Sequence, residues 1–219
     1  DRVTFDLFDR VNRGGTRLNN QEMRNALYQG NATVLINRLA KMKVFIDATE
    51  DTIPANHMKD RYLVLRFVAF YMWQKGITKD VDTNEVLEYR SNLEDFLGKT
   101  MRFLNRLDSE NDLFKELEFR FAKAMELASQ LIPLGGFRLP SSSGKKRPIN
   151  MAFFESFSYL LSNLTGDKEL LNGKIKQAYM QLMHESQYLD TLTHSVDSGT
   201  QTDERYKIIN QYISELNLC

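Results

Sequence analysis

Cysteine is almost missing from this chain: a single one, Cys219, closes its 219 residues. That excludes an internal disulfide and a cysteine-built zinc site, and it fits a reducing, cytoplasmic setting. Net charge is missing too, with Lys+Arg 29 against Asp+Glu 29. Bulk charge therefore does not describe a strongly basic nucleic-acid binder, and any such surface has to be a local patch. No apolar run approaches the ~18 residues of a membrane span, so no membrane partner is expected. Catalytic strings are absent as well: no G-x-S-x-G, no G-x-x-x-x-G-K-[ST] and no HNH motif occurs. The three histidines, His57, His184 and His194, stand far apart and in no metal-binding spacing. No catalytic residue and no metal ligand is assigned.

What is present reads as helix. Apolar residues make up 42% of the chain, enough for a real core, and the mean hydropathy of −0.44 is ordinary for a soluble protein. The length allows one large domain or two small ones. Apolar residues recur at helical spacing over Thr33–Phe45, and His57–Gly76 reads as a helix with little polar face. Thr83 or Asn84 is expected to start a long amphipathic helix to about Leu107. Glu110 starts the next, to about Ile132, and the two form a helical hairpin. Further helices are expected from Asn150 to Gly166, from Lys168 to about Tyr188, and from Asp203 to about Leu216. Glu85, Glu88, Glu94 and Asp95, balanced by Lys99, Arg102 and Arg106, read as a solvated face. No segment shows sustained period-two alternation. The fold class is all-α, an irregular bundle of about eight to ten helices.

Texture changes between Pro133 and Pro148. This stretch, PLGGFRLPSSSGKKRP, holds three of the four prolines and is a loop long enough to suspect function. It carries the one basic run, Lys145, Lys146 and Arg147, which is either a solvated loop tip or a nucleic-acid contact. The aromatic side chains could line a pocket for a base, but at helical spacing they read as core.

The stretch from Phe5 to Gly30 organises the rest. A polar, glycine-bearing turn leads into a short helix that Asn19 caps, with Glu22 three residues on to complete a capping box. Met23, Ala26 and Leu27 make its apolar stripe, and Gly30 stands where a terminating glycine belongs. Gly14 and Gly15 free the backbone, Thr16 and Asn12 add polar groups, and Arg10, Arg13 and Arg17 rim the turn. Such a turn can hold an anion such as phosphate, or it can simply reverse the chain. If it holds phosphate, Asn12, Gly14, Gly15 and Thr16 lie at the surface, with Phe8, Leu18 and Leu27 buried beneath.

The string F-x-R-x-N-x-G-G-T-x-L-N-x-x-E-x-R-N-A-L-Y, from Phe8 to Tyr28, resembles the signature of the GmrSD-type modification-dependent restriction family. Two more segments resemble it. HMKDRYLVLRFVAF, from His57 to Phe70, matches an Arg-Met-x-Asp pattern before a Leu-rich helix, with His57 and Tyr62 departing from the expected Arg and Glu. KRPINMAFFE, from Lys146 to Glu155, matches an Arg-Pro-Ile-Asn-x-Ala-x-Phe-Glu pattern.

The resemblance carries several implications. The family's N-terminal half is similar to ParB and sulfiredoxin folds and carries an Asp-Gly-Gln-Gln-Arg motif that handles nucleotide. That string does not occur here, and the chain begins Asp1-Arg2, so the expectation is a C-terminal helical part of a longer protein. Residues 1–30 would then be the seam with the missing ParB-like domain, and residues 31–219 the helical domain. The nucleotide-binding residues implied are Arg10, Asn12, Arg13, Gly14, Gly15 and Thr16. Counting from Asn12, Leu18, Asn19 and Glu22 fall as in a ParB-type box, while the box's Arg is Gly15 here, leaving the phosphate contact to Arg10, Arg13 or Arg17. The cofactor implied is NTP with Mg²⁺, in the intact protein alone. The partners implied are the ParB-like domain, an HNH nuclease domain or subunit, and DNA, which Lys145, Lys146 and Arg147 would contact. The alternative is a non-catalytic helical module that docks a partner subunit or DNA.

Overall fold

The computed structural model describes residues 18–141, 144–166 and 168–218. Among the described residues it contains ten α-helices and no strand. They are α1 (Asn20–Leu27), α2 (Asn31–Ala40), α3 (Lys43–Ala48), α4 (Lys59–Gln74), α5 (Leu93–Arg106), α6 (Asp112–Ser129), α7 (Met151–Asn163), α8 (Lys168–Leu182), α9 (Ser186–Thr193) and α10 (Gly199–Leu218). Short 3₁₀ turns, Asn56–Met58 and Ile132–Leu134, precede α4 and follow α6. No helix among the described residues is long and apolar enough to cross a membrane.

Two helices make the centre. Every residue of α4 from Leu63 to Met72 is buried, as is α7 from Ala152 to Ser162. These are the segments whose apolar residues leave almost no polar stripe, and a helix without one belongs inside. α7 packs between α4 and α6, α10 lies along α7, and α2, α3 and α5 close the other side. Aromatic rings fill the seams as core. Phe121 of α6 lies 5.1 Å from Phe67 and 5.6 Å from Phe45, and Phe70 stacks on Tyr206 of α10 at 5.6 Å.

One ionic node sits inside this core. Arg66 of α4 donates Nε to Glu155 Oε2 of α7 at 2.5 Å, and Arg205 of α10 places Nη2 3.4 Å from Glu155 Oε1. The Glu155 and Arg205 side chains are fully buried and Arg66 is nearly so. Arg66 also donates Nη2 to Asp197 Oδ1 at 2.8 Å, the one half-exposed member. Arg205 donates to the carbonyls of Thr191 and Val196. Burial pushes the Glu155 carboxyl up, against the downward pull of both guanidiniums. Burial also pulls on Arg66, but Glu155, Tyr62 and Asp197 outweigh it and the net shift is upward. Asp197, in the Ser/Thr-rich turn after α9, is thus held by Arg66 and by the Tyr89 hydroxyl on its carbonyl at 2.6 Å.

The entry to the bundle follows the capping box read from sequence. Asn19 Oδ1 accepts from the backbone N–H groups of Gln21 (2.8 Å) and Glu22 (2.9 Å), and Glu22 Oε2 accepts from the Asn19 N–H (2.7 Å). Asn19→Ala should lower stability by about 1 kcal/mol; a urea melt unchanged from wild type would show the box to be idle. Gly30, expected to end α1, instead starts α2. Its φ of +149° suits glycine, and an added Cβ would meet Asn105 Oδ1 at 2.6 Å. Asn105 spans the gap, accepting from Ala32 N and donating to the Tyr28 carbonyl.

Several expectations are corrected. The helix expected from Thr83 starts only at Leu93. Residues 78–87 fold back on themselves instead: Asp80 N–H donates to Glu85 O, Leu87 N–H to Thr78 O, and Asp80 Oδ1 accepts from Asp82 N–H at 2.8 Å. Those bonds use the backbone groups a helix needs, and Asn84 and Ser91 both take positive φ. Asn92 then caps α5. The segment Thr33–Phe45 is two helices, broken at Lys41 and Met42. The helix expected from Lys168 to about Tyr188 ends at Leu182, with α9 following as a separate helix, and the helix expected from Asp203 begins already at Gly199. Leu18 is 37% exposed and Leu27 only half-buried, so neither forms the buried floor expected of it. Ala26 is exposed, and the buried positions of α1 are Gln21, Met23 and Arg24. Glu94 is no purely solvated residue, because it receives the buried guanidinium of Arg24.

Candidate functional site: a cationic pocket at two helix starts

Local sequence builds this site from four pieces. The chain leaves α3 through Glu50 and Asp51, both left-handed at φ 56° and 51°, and reaches Thr52, Ile53 and Pro54. It enters α4 through His57 and Met58, also left-handed, at φ 58° and 55°. L-residues adopt that region at about 1 kcal/mol each, and such strain concentrates at functional segments. Met58 is the N-cap of α4 but lends no side-chain bond to it.

The long loop expected between Pro133 and Pro148 is anchored in its first half. Phe137 is buried against Phe154 at 4.7 Å, and its carbonyl accepts from Asn150 N–H at 3.0 Å. Arg138 is therefore buried as well, at 6% exposure. Asn150 caps α7 through its side-chain oxygen on Phe153 N–H and donates its amide to Leu192 O. Pro148 stands before this cap.

Between these pieces lies a cavity of about 440 Å³ at the starts of α4 and α7. Ile53, Pro54, Leu63, Ile149 and Met151 form its apolar walls, and Lys59, Arg138, Lys146 and Arg147 bring positive charge. Helix starts add positive potential of their own. One carboxylate answers them. Glu50 Oε2 accepts from Arg138 Nη1, and Glu50 Oε1 accepts from Lys146 Nζ. Arg138 also donates Nη2 to Thr52 Oγ1 at 2.8 Å. The hydrogen bond from Lys146, with Arg138 beside it, holds the Glu50 carboxyl below the ordinary carboxylate value. Lys59 and Arg147 are exposed and make no ion pair among the described residues.

Of the residues expected to bind nucleic acid, Lys146 and Arg147 line this pocket and Lys145 is exposed on the loop beside them. The residues expected to bind nucleotide, Arg10, Asn12, Arg13, Gly14, Gly15 and Thr16, lie outside the described residues. Sequence reasoning missed Lys59, which lines the pocket from the start of α4, and Arg138 and Glu50, which are bonded across 86 to 96 positions of chain to Thr52, Lys146 and each other. The signal available for Arg138 was the apolar Phe137 before it, which marks an anchor within the loop. Among the described residues no aromatic side chain lines the cavity. Chemically, a pocket with cations at the rim and apolar walls can take an anion whose remainder is uncharged. No family model, curated protein or solved structure matches this chain.

Proposed function

We propose that this chain is the helical part of a GmrSD-like, NTP-dependent restriction protein, and that its cationic pocket docks a phosphate of DNA. The observation that carries the reading is the pocket itself: four cations meet at two helix starts, with one carboxylate among them. Phosphate contacts position a protein on DNA without reading sequence, which suits a chain whose bulk charge is zero. A second observation supports the family part. The three segments that resemble the family lie together: Asn19 Nδ2 donates to His57 O at 2.7 Å, Arg66 pairs with Glu155, and Lys59 and Lys146 share the cavity. NTP and Mg²⁺, the ParB-like domain and an HNH nuclease belong to the intact protein in this reading. Coding sequence upstream of Asp1 that lacks an Asp-Gly-Gln-Gln-Arg motif would remove the NTP-dependent part.

The pocket is tested directly with the double variant Lys59→Glu, Arg147→Glu, since neither residue makes an ion pair among the described residues. Its binding to labelled duplex DNA, followed by fluorescence anisotropy, should weaken at least about tenfold, with the salt slope falling by about two. Its circular dichroism should stay as in wild type. Unchanged affinity and slope would move DNA contact elsewhere. The alternative, a module docking a protein subunit, draws on Val34 and Phe119, which are 60% and 63% exposed on α2 and α6. Those two helices are bridged by the Arg38–Glu118 ion pair at 2.6 Å. On that reading the double variant keeps partner binding, while Phe119→Ser loses it.

A further inference from the structure

Resting on the reading of the pocket as a phosphate site, we propose that it takes a single phosphate group in the place now held by the Glu50 carboxylate, so that Glu50 is the ligand's internal competitor. The geometry is that of a stand-in. Two oxygens of one planar anion are shared between Arg138 and Lys146, which come from residues 88 and 96 positions along the chain. A phosphate offers two oxygens at a similar separation and a second negative charge. Lys59 and Arg147, which make no ion pair among the described residues, can meet that charge from the rim.

Burial makes the exchange obligatory. Arg138 is almost fully enclosed, and a buried guanidinium left without an anion is strongly unfavourable. The carboxylate can leave only when another anion arrives, which is the behaviour of a competitor rather than of a passive bridge. The backbone can stay in place through the exchange. Glu50 and Asp51 are consecutive left-handed residues, and that turn is held by backbone bonds from Glu50 N–H to Asp47 O at 3.0 Å and from Asp51 N–H to Ile46 O at 2.9 Å. Only the Glu50 side chain has to move. Thr52 Oγ1 stays on Arg138 Nη2 and keeps the guanidinium oriented while the acid swings out. The walls next to the anion are aliphatic, so the group attached to the phosphate is held by contact with Ile53 and Ile149 and not by ring stacking.

The test compares the full chain with its Glu50→Gln variant, using inorganic phosphate by calorimetry and a short labelled duplex by anisotropy. Glu50→Gln keeps the shape and removes the competing charge. It should bind phosphate at least about tenfold more tightly than wild type. Phosphate should displace the duplex from both chains. Arg138→Lys in the Glu50→Gln background should return the affinity to wild-type level or below. Should Glu50→Gln melt early, Glu50→Asp reads the same competition: its carboxylate is one methylene too short to span both cations, so affinity should again rise. Wild type and Glu50→Gln binding phosphate equally would overturn the competitor and leave the phosphate reading standing. Neither chain binding phosphate or duplex would overturn both. Tighter phosphate with unchanged duplex affinity would support the competitor and name a free phosphate or nucleotide as the source in place of DNA.

Discussion

Glu155→Ala should be the most damaging single substitution in the chain, lowering stability by about 3–5 kcal/mol and the melting temperature by on the order of 10 °C. The cause is what it leaves behind. Arg66 and Arg205 would be two enclosed guanidiniums with their shared carboxylate gone. Asp197 could answer Arg66 alone, from a half-exposed position. A companion variant separates this cause from simple loss of packing. Replacing all three members, Arg66→Met, Glu155→Leu and Arg205→Met, removes the charges together and should recover most of the loss, since apolar groups of similar volume often replace such a triad without penalty. Thermal and urea melts read both. A loss below about 1 kcal/mol for Glu155→Ala, or a triple variant as damaged as the single one, would contradict the account.

The second large effect is expected at Arg24. Its side chain is fully buried, donates Nε and Nη2 to Gln21 Oε1 at 3.2 and 3.0 Å, and pairs with Glu94. Its guanidinium carbon stands 5.4 Å from the centre of the Tyr62 ring, and Arg66 stands 5.7 Å from the same ring. Arg24→Ala opens a cavity between α1 and α4 and strands the buried amide of Gln21. The expected cost is about 2–4 kcal/mol. Glu94→Gln leaves an oxygen acceptor for Arg24 and all of its packing on Gln21 and Tyr62, and removes only the counter-charge, so it should cost less than Arg24→Ala. Equal losses for the two variants would mean that the ion pair, and not the burial, dominates.

Much of the bundle was legible because its periodicity is strong. The burial of α4 and α7 follows from apolar residues on every side of the helix. The Asn19 and Glu22 capping box follows from two residues at the right spacing. The region after Gly76 was not legible, because Leu87, Leu93 and Leu97 keep a helical rhythm across a segment whose backbone bonds are taken by Asp80. The ionic node was half legible. A lone Arg66 in an apolar run and a lone Glu155 in another are charges of opposite sign on two helices that must both be buried, and such charges have to meet. The pocket was the least legible part. Lys146 and Arg147 advertise themselves as a basic run, but Glu50, Lys59 and Arg138 join them only through the fold. A long, proline-rich loop gives no sign that its first half is pinned while its basic end is exposed.

The node also fixes when folding can finish during synthesis. Arg66 and Glu155 are 89 positions apart, and Arg205 lies in α10. As the chain leaves a ribosome, α4 emerges with a cation that has no acid to meet until α7 follows. When α7 packs, one oxygen of its acid still waits for α10. No earlier stretch of the chain can therefore close a complete core, and the late, non-local contacts set the pace. The centre of the bundle is thus expected to set only when α10 has packed against α7.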